Sequence, residues 1–476
     1  MRILMLGWEF PPFISGGLGT ACHGLTRALD RQGHKVYFLL PKPVEAPETT
    51  HVTLLSPSLL KRKGVPDPLG LERSAQAGSA AASKAIAEES NRSDLQKTEF
   101  FEVPANFSSP YPDGGLNLPE GVTYETVAGL MARAQKNDPG AIQALKELGI
   151  APSGSLSDEV DQLGEGFGDY GRDLFADAHR YARIAAAIAS GIEFDVVHAH
   201  DWLTYPAGVA IRRLTGKPLV CHIHATEFDR SGDNVNQPVY DIERMGMHAC
   251  DRLIAVSMLT RSICMRRYGV PESKIDVVYN GVEQEHNQPE PGAQIGSDDK
   301  IVLFLGRITM QKGPEYFIRA AKRVLEKVEN VKFVVAGSGD MAMRMIEQAA
   351  GLGIGSKVLF TGFLRGRDVA RVFRMADCYV MPSVSEPFGI APLEAMSHDT
   401  PVIISKQSGV AEVLQHALKV DFWDTDEMAN KIVAVLKYPP LSKTLRQHGV
   451  FELKSLTWDR SAEKVARVYE RAISSV

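Results

Sequence analysis

The fold is decided by one stretch, residues 382–396, which reads Pro-Ser-Val-Ser-Glu-Pro-Phe-Gly-Ile-Ala-Pro-Leu-Glu-Ala-Met. The apolar run just before it, at 378–381, predicts a strand, and the proline and glycine that follow predict a turn. A helix is then expected to open near Gly389, with Pro392 in its first turn, where a missing N–H costs little. A strand, a turn and a helix in this order are one unit of a parallel α/β sheet.

This turn is also a candidate anion site. The open N–H groups of Phe388, Gly389 and Ile390 would point into a cleft beside the positive end of the helix, where phosphate binds readily. Glu386 precedes the helix, and Glu394 follows about one turn deeper along the same edge. A phosphate seat between two carboxylates suits a nucleotide-sugar. Two ordinary surface glutamates are the alternative that this spacing alone leaves open.

Length and composition restrict the class of protein. The chain has 476 residues, enough for two or three domains, and 44% of them are hydrophobic and 23% charged, as in soluble globular proteins. A net charge of −5 argues against nucleic-acid binding and against a general attraction to anionic membranes. No apolar run has transmembrane length and no secretory signal is evident, so we expect a cytoplasmic protein. The five cysteines lack Cys-x-x-Cys spacing and are expected to be reduced core thiols.

The first forty residues predict a strand–helix–strand unit. Apolar runs at 2–6 and 35–40 predict the strands, and an amphipathic helix to about residue 32 lies between them. The turn before this helix is Gly16-Gly-Leu-Gly19. It lacks the Gly-x-Gly-x-x-Gly dinucleotide spacing, so by itself it indicates only close packing of strand and helix.

The alternation of strands and helices is lost between about residues 57 and 165. An Ala/Ser-rich run occupies 75–90, and a strand near Phe100 and a helix at 141–148 are the elements expected within this part. We interpret it as an insertion on the surface, and a role as a lid or in acceptor binding stays open.

The alternation then resumes and predicts two parallel sheets covered by helices. A polar linker at about 285–299 is expected to separate them, and a last helix is expected at about 461–473. Strands are predicted at 195–200, 219–223, 251–256, 275–279, 301–305, 333–336, 358–361 and 402–405.

Two cations follow the first strand of the second sheet. They are Arg307 and Lys312, in the sequence Gly-Arg-(four residues)-Lys-Gly. Because ligands bind at the carboxyl ends of strands in such sheets, both cations could neutralise a diphosphate as it leaves. Solvated side chains at a helix end are the ordinary alternative.

Four histidines invite a metal interpretation: His198 and His200 on one strand, and His222 and His224 on the next. His198 and His200 share a face. Asp201 follows His200 directly, however, so the His-x-His-x-Asp-His signature of metallohydrolases is not met. We therefore expect no metal, and we expect His198 and His222 to be hydrogen-bonded core residues. The Asp-x-Asp run at 424–426 more plausibly caps the following helix than binds metal.

These motifs together resemble the retaining glycosyltransferases of family 4, which have the GT-B fold. The Glu-(seven residues)-Glu string carries the resemblance, and it continues through Thr400-Pro-Val-Ile-Ile and Ser408-Gly-Val-Ala-Glu412. The run His198-Ala-His-Asp-Trp and the N-terminal glycine turn are similar to glycogen and starch synthases. Ile14 departs from those synthases, which often carry lysine there.

The resemblance implies roles for single residues. Glu386 would hold the donor sugar and Glu394 the ribose hydroxyls, while His224 would hydrogen-bond the transferred sugar. Arg307 and Lys312 would hold the diphosphate, and no metal or cofactor is implied. Further substrate-binding positions that the resemblance implies are Gly16, Gly17, Asp201, Trp202, Gly337, Leu364, Phe388, Gly389 and Ile390.

The GT-B resemblance implies two Rossmann-like domains that face each other across a cleft. Residues 1–285 would form the acceptor-side domain and residues 286–458 the nucleotide-sugar domain, with the last helix, about 459–476, crossing back to the first. The implied reaction moves a sugar, with glucose favoured, from ADP- or UDP-glucose to a glycan with retention.

Other functions remain compatible with the sequence. One is a glycosyltransferase of cell-surface polysaccharide or glycolipid synthesis, and another is a sugar-nucleotide epimerase of the same fold. A third is a silent subunit that binds the donor without transferring it. The oligomeric state is left open.

Overall fold

The computed structural model describes residues 1–10, 17–41, 174–283, 299–364 and 366–475, together with the backbone of two strands at 53–55 and 98–102. Strands alternate with helices along almost the whole of this length. They form two parallel sheets, as the sequence predicts.

The first sheet has eight strands, and all of its recorded strand pairs are parallel. The strands are β1 (Arg2–Leu6), β2 (Lys35–Leu40), β3 (Thr53–Leu55), β4 (Thr98–Glu102), β5 (Val196–His200), β6 (Leu219–Ile223), β7 (Arg252–Ala255) and β8 (Ile275–Val277). Their order in space is β3-β4-β2-β1-β5-β6-β7-β8. The chain therefore turns to one side of β1 for β2 and to the other for β5. Ligand clefts of open parallel sheets form at such a reversal.

The second sheet has six parallel strands. They are β9 (Lys300–Leu305), β10 (Val331–Ala336), β11 (Val358–Gly362), β12 (Cys378–Met381), β13 (Val402–Ser405) and β14 (Leu418–Val420), in the order β11-β10-β9-β12-β13-β14. Here the reversal lies at β9, between β10 and β12. The loops that follow β9 and β12 therefore meet at one point of the sheet edge.

Helices cover both sheets. They are α1 (Gly17–Arg31), α2 (Leu174–Ala189), α3 (Tyr205–Thr215), α4 (Glu227–Ser231), α5 (Gln237–Ala249), α6 (Met258–Tyr268), α7 (Pro314–Leu325), α8 (Ala342–Gly351), α9 (Arg367–Met375), α10 (Ala391–Ser397), α11 (Thr425–Lys437), α12 (Pro439–Leu453) and α13 (Trp458–Ser474). Asp424 caps α11 by accepting a hydrogen bond from the Glu427 amide at 2.9 Å, so the capping role predicted from the sequence is confirmed.

The last helix, α13, returns to the first sheet. It packs against α1, β5, β6 and β7, and Trp458 is buried in the same core as Ile3. The close approach depends on Gly24, because a Cβ there would lie 2.3 Å from the Trp458 indole. Arg471 pairs with Asp276 at 2.6 Å at the other end of the helix.

Most predicted elements match the observed ones. Five predicted strands, β1, β2, β6, β12 and β13, have the observed bounds, and β4 confirms the strand near Phe100. Two helix starts differ by a few residues: α10 begins at Ala391, against a start near Gly389, and α13 begins at Trp458, against starts at about 459 and 461. In both cases the turn chemistry shifts the start: Gly389 adopts a positive φ of 102°, and Thr457 supplies an N-cap.

Several predictions lie outside the described residues. They are the Ala/Ser-rich run, the helix at 141–148, and nearly all of the linker with the proposed boundary between 285 and 286. Within the described part of the chain, no helix is long and apolar enough to cross a membrane.

Candidate active site

The two sheets meet where loops leave the carboxyl ends of β6, β9 and β12. Ser385, in the loop after β12, donates a hydrogen bond to Asp229 of α4 at 2.5 Å. Thr260 Oγ1 of α6 donates to the carbonyl oxygen of Pro387 at 3.3 Å. Helix α4 also packs against the short 3-10 helix Met310–Lys312 that follows β9. Residues from both halves of the chain therefore meet at one junction.

Glu386 lies at the centre of this meeting point. The residue is 7% exposed, and its carboxylate accepts hydrogen bonds from Lys312 Nζ at 2.5 Å and from Ser383 Oγ at 3.1 Å. Its backbone is also fixed, because the amide donates to the Gln407 carbonyl and the carbonyl accepts from the Gly409 amide, each at 2.9 Å. The side chain is thus held in place before any ligand arrives.

Lys312 reaches Glu386 because the loop after β9 approaches the loop after β12 very closely. Gly313 has a positive φ of 63°, and a Cβ there would lie 2.2 Å from the carbonyl oxygen of Pro382, so only glycine fits. The Val384 amide donates to the Gln311 carbonyl at 2.9 Å. The second predicted cation, Arg307, is exposed and forms no ion pair within the described residues.

The predicted phosphate seat has open donors. The backbone N–H groups of Phe388, Gly389 and Ile390 find no acceptor in the described part of the chain. Glu394 lies on α10 beside this seat. Burial, and then the charges of Glu386 and Glu394, raise the pKa of Tyr379.

His224 directly follows β6 of the first sheet, in the loop that leads to α4. Its backbone N–H donates to Asp201 Oδ1 at 2.6 Å, and its Nε2 lies 2.9 Å from His200 Nδ1. Asp201 adopts a positive φ of 58°, which directs its carboxylate back to the loop after β6. Burial lowers the pKa of His224 to about 3, so the imidazole is neutral at pH 7. Burial also raises the pKa of Asp201 to about 7, although the hydrogen bond from the His224 amide lowers it.

Three histidines could be considered as metal ligands. Ring nitrogens of His198, His200 and His222 lie within 4.8 Å of one another. Nitrogens bound to Zn²⁺ at 2.0–2.1 Å would lie roughly 3.4 Å apart in a tetrahedral site, so this set is loose. Both ring nitrogens of His198 are also occupied, by Tyr469 at 2.6 Å and by His222 at 3.2 Å. That no metal binds here stays a prediction.

Comparison with known proteins identifies the family. The model of "Glycosyl transferases group 1" matches residues 288–449, "Glycosyltransferase Family 4" matches 150–286, and "Starch synthase catalytic domain" matches 2–82. An uncharacterized glycosyltransferase of Methanocaldococcus jannaschii is 32% identical over 299 residues, 59% of this chain and 76% of that protein. The chain is a glycosyltransferase of family 4.

Two further relatives have assigned names. Glycogen synthase of Mycobacterium tuberculosis is 25% identical over 477 residues, covering 98% of this chain and 94% of that protein. A D-inositol 3-phosphate glycosyltransferase of Catenulispora acidiphila is 28% identical over 305 residues, covering 59% of this chain and 73% of that protein.

Solved structures confirm the GT-B fold. Sucrose-phosphate synthase of Thermosynechococcus elongatus has a TM-score of 0.65 at 16% identity, and Anabaena HepE in complex with UDP and glucose has 0.63 at 16%. Each comparison covers 100% of both chains.

The remaining residues that the sequence predicted for the site differ in how deeply they are buried. Trp202 is 8% exposed and packs in the hydrophobic core of the first sheet, where its ring centre lies 5.5 Å from the ring centre of Phe175. Gly337 is required by the backbone, since a Cβ there would lie 1.9 Å from the Gly306 carbonyl oxygen. Gly17 is exposed at the start of α1, and Leu364 is half-buried. Gly16 lies outside the described residues. Contact of these residues with a substrate stays a prediction.

Sequence reasoning missed a buried charge network behind His224. The Arg230 guanidinium pairs with Glu227 at 3.1 Å and with Glu243, and it also donates to the Ala225 carbonyl at 3.0 Å. Glu243 further accepts from the Tyr268 hydroxyl. The network anchors the loop from 224 to 231. The one local signal was a capping box in this loop, Thr226 with Asp229.

Proposed function

We propose that this glycosyltransferase moves glucose from a nucleotide-diphosphate glucose to a glycan, with retention at the anomeric carbon, without a metal, and in the cytoplasm. The observation that carries the proposal is the fixed Glu386–Lys312 pair, which lies beside open backbone donors and opposite the loop of His224. All five cysteines are buried and form no disulfide bond, as is usual for proteins of a reducing compartment.

The charges of the site suit a diphosphate. Arg307 is exposed and has no ion pair among the described residues, and the Lys312 ammonium, which now contacts Glu386, can also donate to a phosphate oxygen. The amides of Gly389 and Ile390 add two donors. A GT-B structure solved with UDP and glucose, that of HepE, supports the choice of donor.

The carboxylates suit the polar remainder of such a donor. Glu386, nearly buried, would accept hydrogen bonds from sugar hydroxyls, and Glu394, farther along α10, from the ribose. The neutral imidazole of His224 would hydrogen-bond the transferred sugar without repelling a developing positive charge.

Retention follows if the acceptor attacks from the face that the phosphate leaves. The bond between the anomeric carbon and the phosphate oxygen breaks, and the bond to the acceptor oxygen forms on the same face. The acceptor's proton passes to the departing phosphate oxygen, so no protein base is needed. The two cations meet the charge on the leaving diphosphate.

The acceptor is proposed from the relatives. Similarity to a glycogen synthase over nearly the whole of both chains supports a glucan. Similarity to a D-inositol 3-phosphate glycosyltransferase makes a phosphorylated polyol the second candidate.

The test is a matrix of labelled donors and acceptors, analysed for new glycoside by mass spectrometry. Donors are ADP-glucose, UDP-glucose and GDP-mannose, and acceptors are an oligoglucan, a glycolipid and D-inositol 3-phosphate. We expect transfer from a glucose donor to the oligoglucan. An epimerised donor without glycoside would indicate the epimerase, and tight donor binding without any product would indicate the silent subunit.

A further inference from the structure

We propose that His200 is a positioning residue that keeps His224 in the Nδ1–H tautomer, and that a hydrogen-bond chain from Tyr469 on α13 selects this arrangement. The functional part of this inference rests on the proposed contact between His224 and the donor sugar. The tautomer itself can be tested without any substrate.

Three hydrogen bonds join these residues in two separate groups, Tyr469–His198–His222 and His200–His224. Tyr469 Oη lies 2.6 Å from His198 Nδ1, and His198 Nε2 lies 3.2 Å from His222 Nδ1. His200 Nδ1 lies 2.9 Å from His224 Nε2. Burial keeps the pKa of every histidine in this group far below 7. Each neutral ring therefore carries one proton, and each contact has one donor and one acceptor.

Tyr469, at the buried end, sets the direction of the hydrogen bonds to His198 and His222. Tyr469 is fully buried, and within the described residues its hydroxyl contacts only His198 as a hydrogen-bond partner. Its proton is satisfied only by donation to His198 Nδ1, since a phenol that accepted there would leave a buried O–H unpaired. His198 then carries its proton on Nε2 and donates it to His222 Nδ1. The proton of His222 must lie on Nε2.

This outcome decides the tautomer of His200. His200 and His222 lie opposite each other on β5 and β6, with ring centres 5.2 Å apart. The Nε2 atoms of both are buried, and neither has a partner among the described residues. A proton on His200 Nε2 would leave two buried N–H donors, one on each ring, without an acceptor among the described residues. A proton on His200 Nδ1 instead leaves an unprotonated Nε2 on the ring that stacks on His222, so only the His222 N–H lacks an acceptor there.

His200 therefore donates from Nδ1 to His224 Nε2, and His224 must carry its own proton on Nδ1. This atom has no hydrogen-bond partner among the described residues and is not one of the fully buried unpaired atoms. Asp201 fixes the backbone of the same residue. The site thus presents an N–H donor, and the group that it recognises must accept: a hydroxyl oxygen of the sugar or an oxygen of the phosphate.

The direct test is imidazole ¹⁵N NMR on the protein labelled at histidine, with the His224 signals assigned by their loss in His224→Asn. We expect a protonated, pyrrole-type Nδ1 and an unprotonated, pyridine-type Nε2. The reverse pattern overturns the proposal. This measurement needs no donor, so it stands even if the substrate matrix shows no transfer, which would count against the proposed function alone.

Two substitutions at His200 separate positioning from packing. His200→Asn places an amide near the former Nδ1 and can still donate to His224, whereas His200→Gln places it near the former Nε2 and cannot. We expect His200→Asn to keep the tautomer and most of kcat, and His200→Gln to lower kcat about tenfold with little change in KM, as for one lost hydrogen bond. Equal effects of the two variants would contradict the role of His200.

Tyr469→Phe tests the role of the hydrogen bonds that begin at Tyr469 on α13. We expect the His224 signals to move toward a mixture of tautomers, because the hydroxyl that orients the chain is gone. The matched control is Tyr181→Phe, which removes another buried hydroxyl, one that donates to the Leu39 carbonyl at 3.0 Å and does not contact the histidines. Unchanged His224 signals in Tyr469→Phe would show that the chain does not select the tautomer.

Discussion

Two glutamates of the proposed donor site, Glu386 and Glu394, differ in their surroundings. Glu386 is fixed by Lys312, by Ser383 and through its own backbone, whereas Glu394 is half-exposed on α10. We therefore expect Glu386→Ala to abolish transfer and Glu394→Ala mainly to weaken donor binding, by about 1.5–3 kcal/mol or roughly 10- to 150-fold in Kd. Steady-state kinetics and calorimetric donor binding measure both. Near wild-type turnover in Glu386→Ala would refute its proposed role.

Removal of metal ions tests whether the positive groups of the protein are enough to bind the diphosphate. Under the proposed function, Arg307, Lys312 and the amides of the turn neutralise the diphosphate charge, so we expect a metal cation to be unnecessary. We expect exhaustive EDTA treatment to leave the transfer rate unchanged. Loss of activity that added Mn²⁺ restores would revive a metal site, with His198, His200 and His222 as the first ligands to examine.

At the scale of elements, a carboxylate of the second half caps a helix of the first. Glu412 accepts hydrogen bonds from the amides of Met258 and Leu259 at 2.9 and 2.7 Å, at the start of α6. Asp424 caps α11 in the same way, but within the second half. We expect Glu412→Ala and Asp424→Ala each to cost about 0.5–2 kcal/mol of stability.

Only Glu412→Ala should also loosen the junction between the halves. Small-angle scattering of the free protein is expected to show a larger radius of gyration for Glu412→Ala and an unchanged one for the control, Asp424→Ala. The same radius in both variants would mean that this cap does not hold the halves together.

Local patterns predicted the elements but not their contacts. Apolar runs bounded by glycine and proline were enough for β12 and β13, and the strict spacing of Arg307 and Lys312 placed both cations after β9. The bond from Ser385 to Asp229 joins residues 156 apart in the sequence, and nothing local in either turn indicates it. The histidine contacts likewise follow from the parallel register of β5 and β6, which the sequence does not contain.

The proposed donor site is divided between the two sheets of the molecule. His224 belongs to the first, while Arg307, Lys312 and Glu386 belong to the second. A divided site is complete only when the cleft is shut, which also keeps water from a hydrolysable donor. We expect nucleoside diphosphate to reduce the radius of gyration of the wild type. Arg307→Ala should lose both affinity and this change, and equal radii at saturating ligand would show a rigid cleft.

The configuration of the product gives the sharpest test of same-face transfer at the Glu386 site. The protein is given an α-configured nucleotide-diphosphate glucose and an oligoglucan, and the anomeric proton of the new linkage is read by ¹H NMR, with Glu386→Ala as the parallel sample. We expect an α-glucoside from the wild type and no new anomeric signal from the variant. A β-glucoside, or an α-glucoside formed equally well by Glu386→Ala, would contradict it.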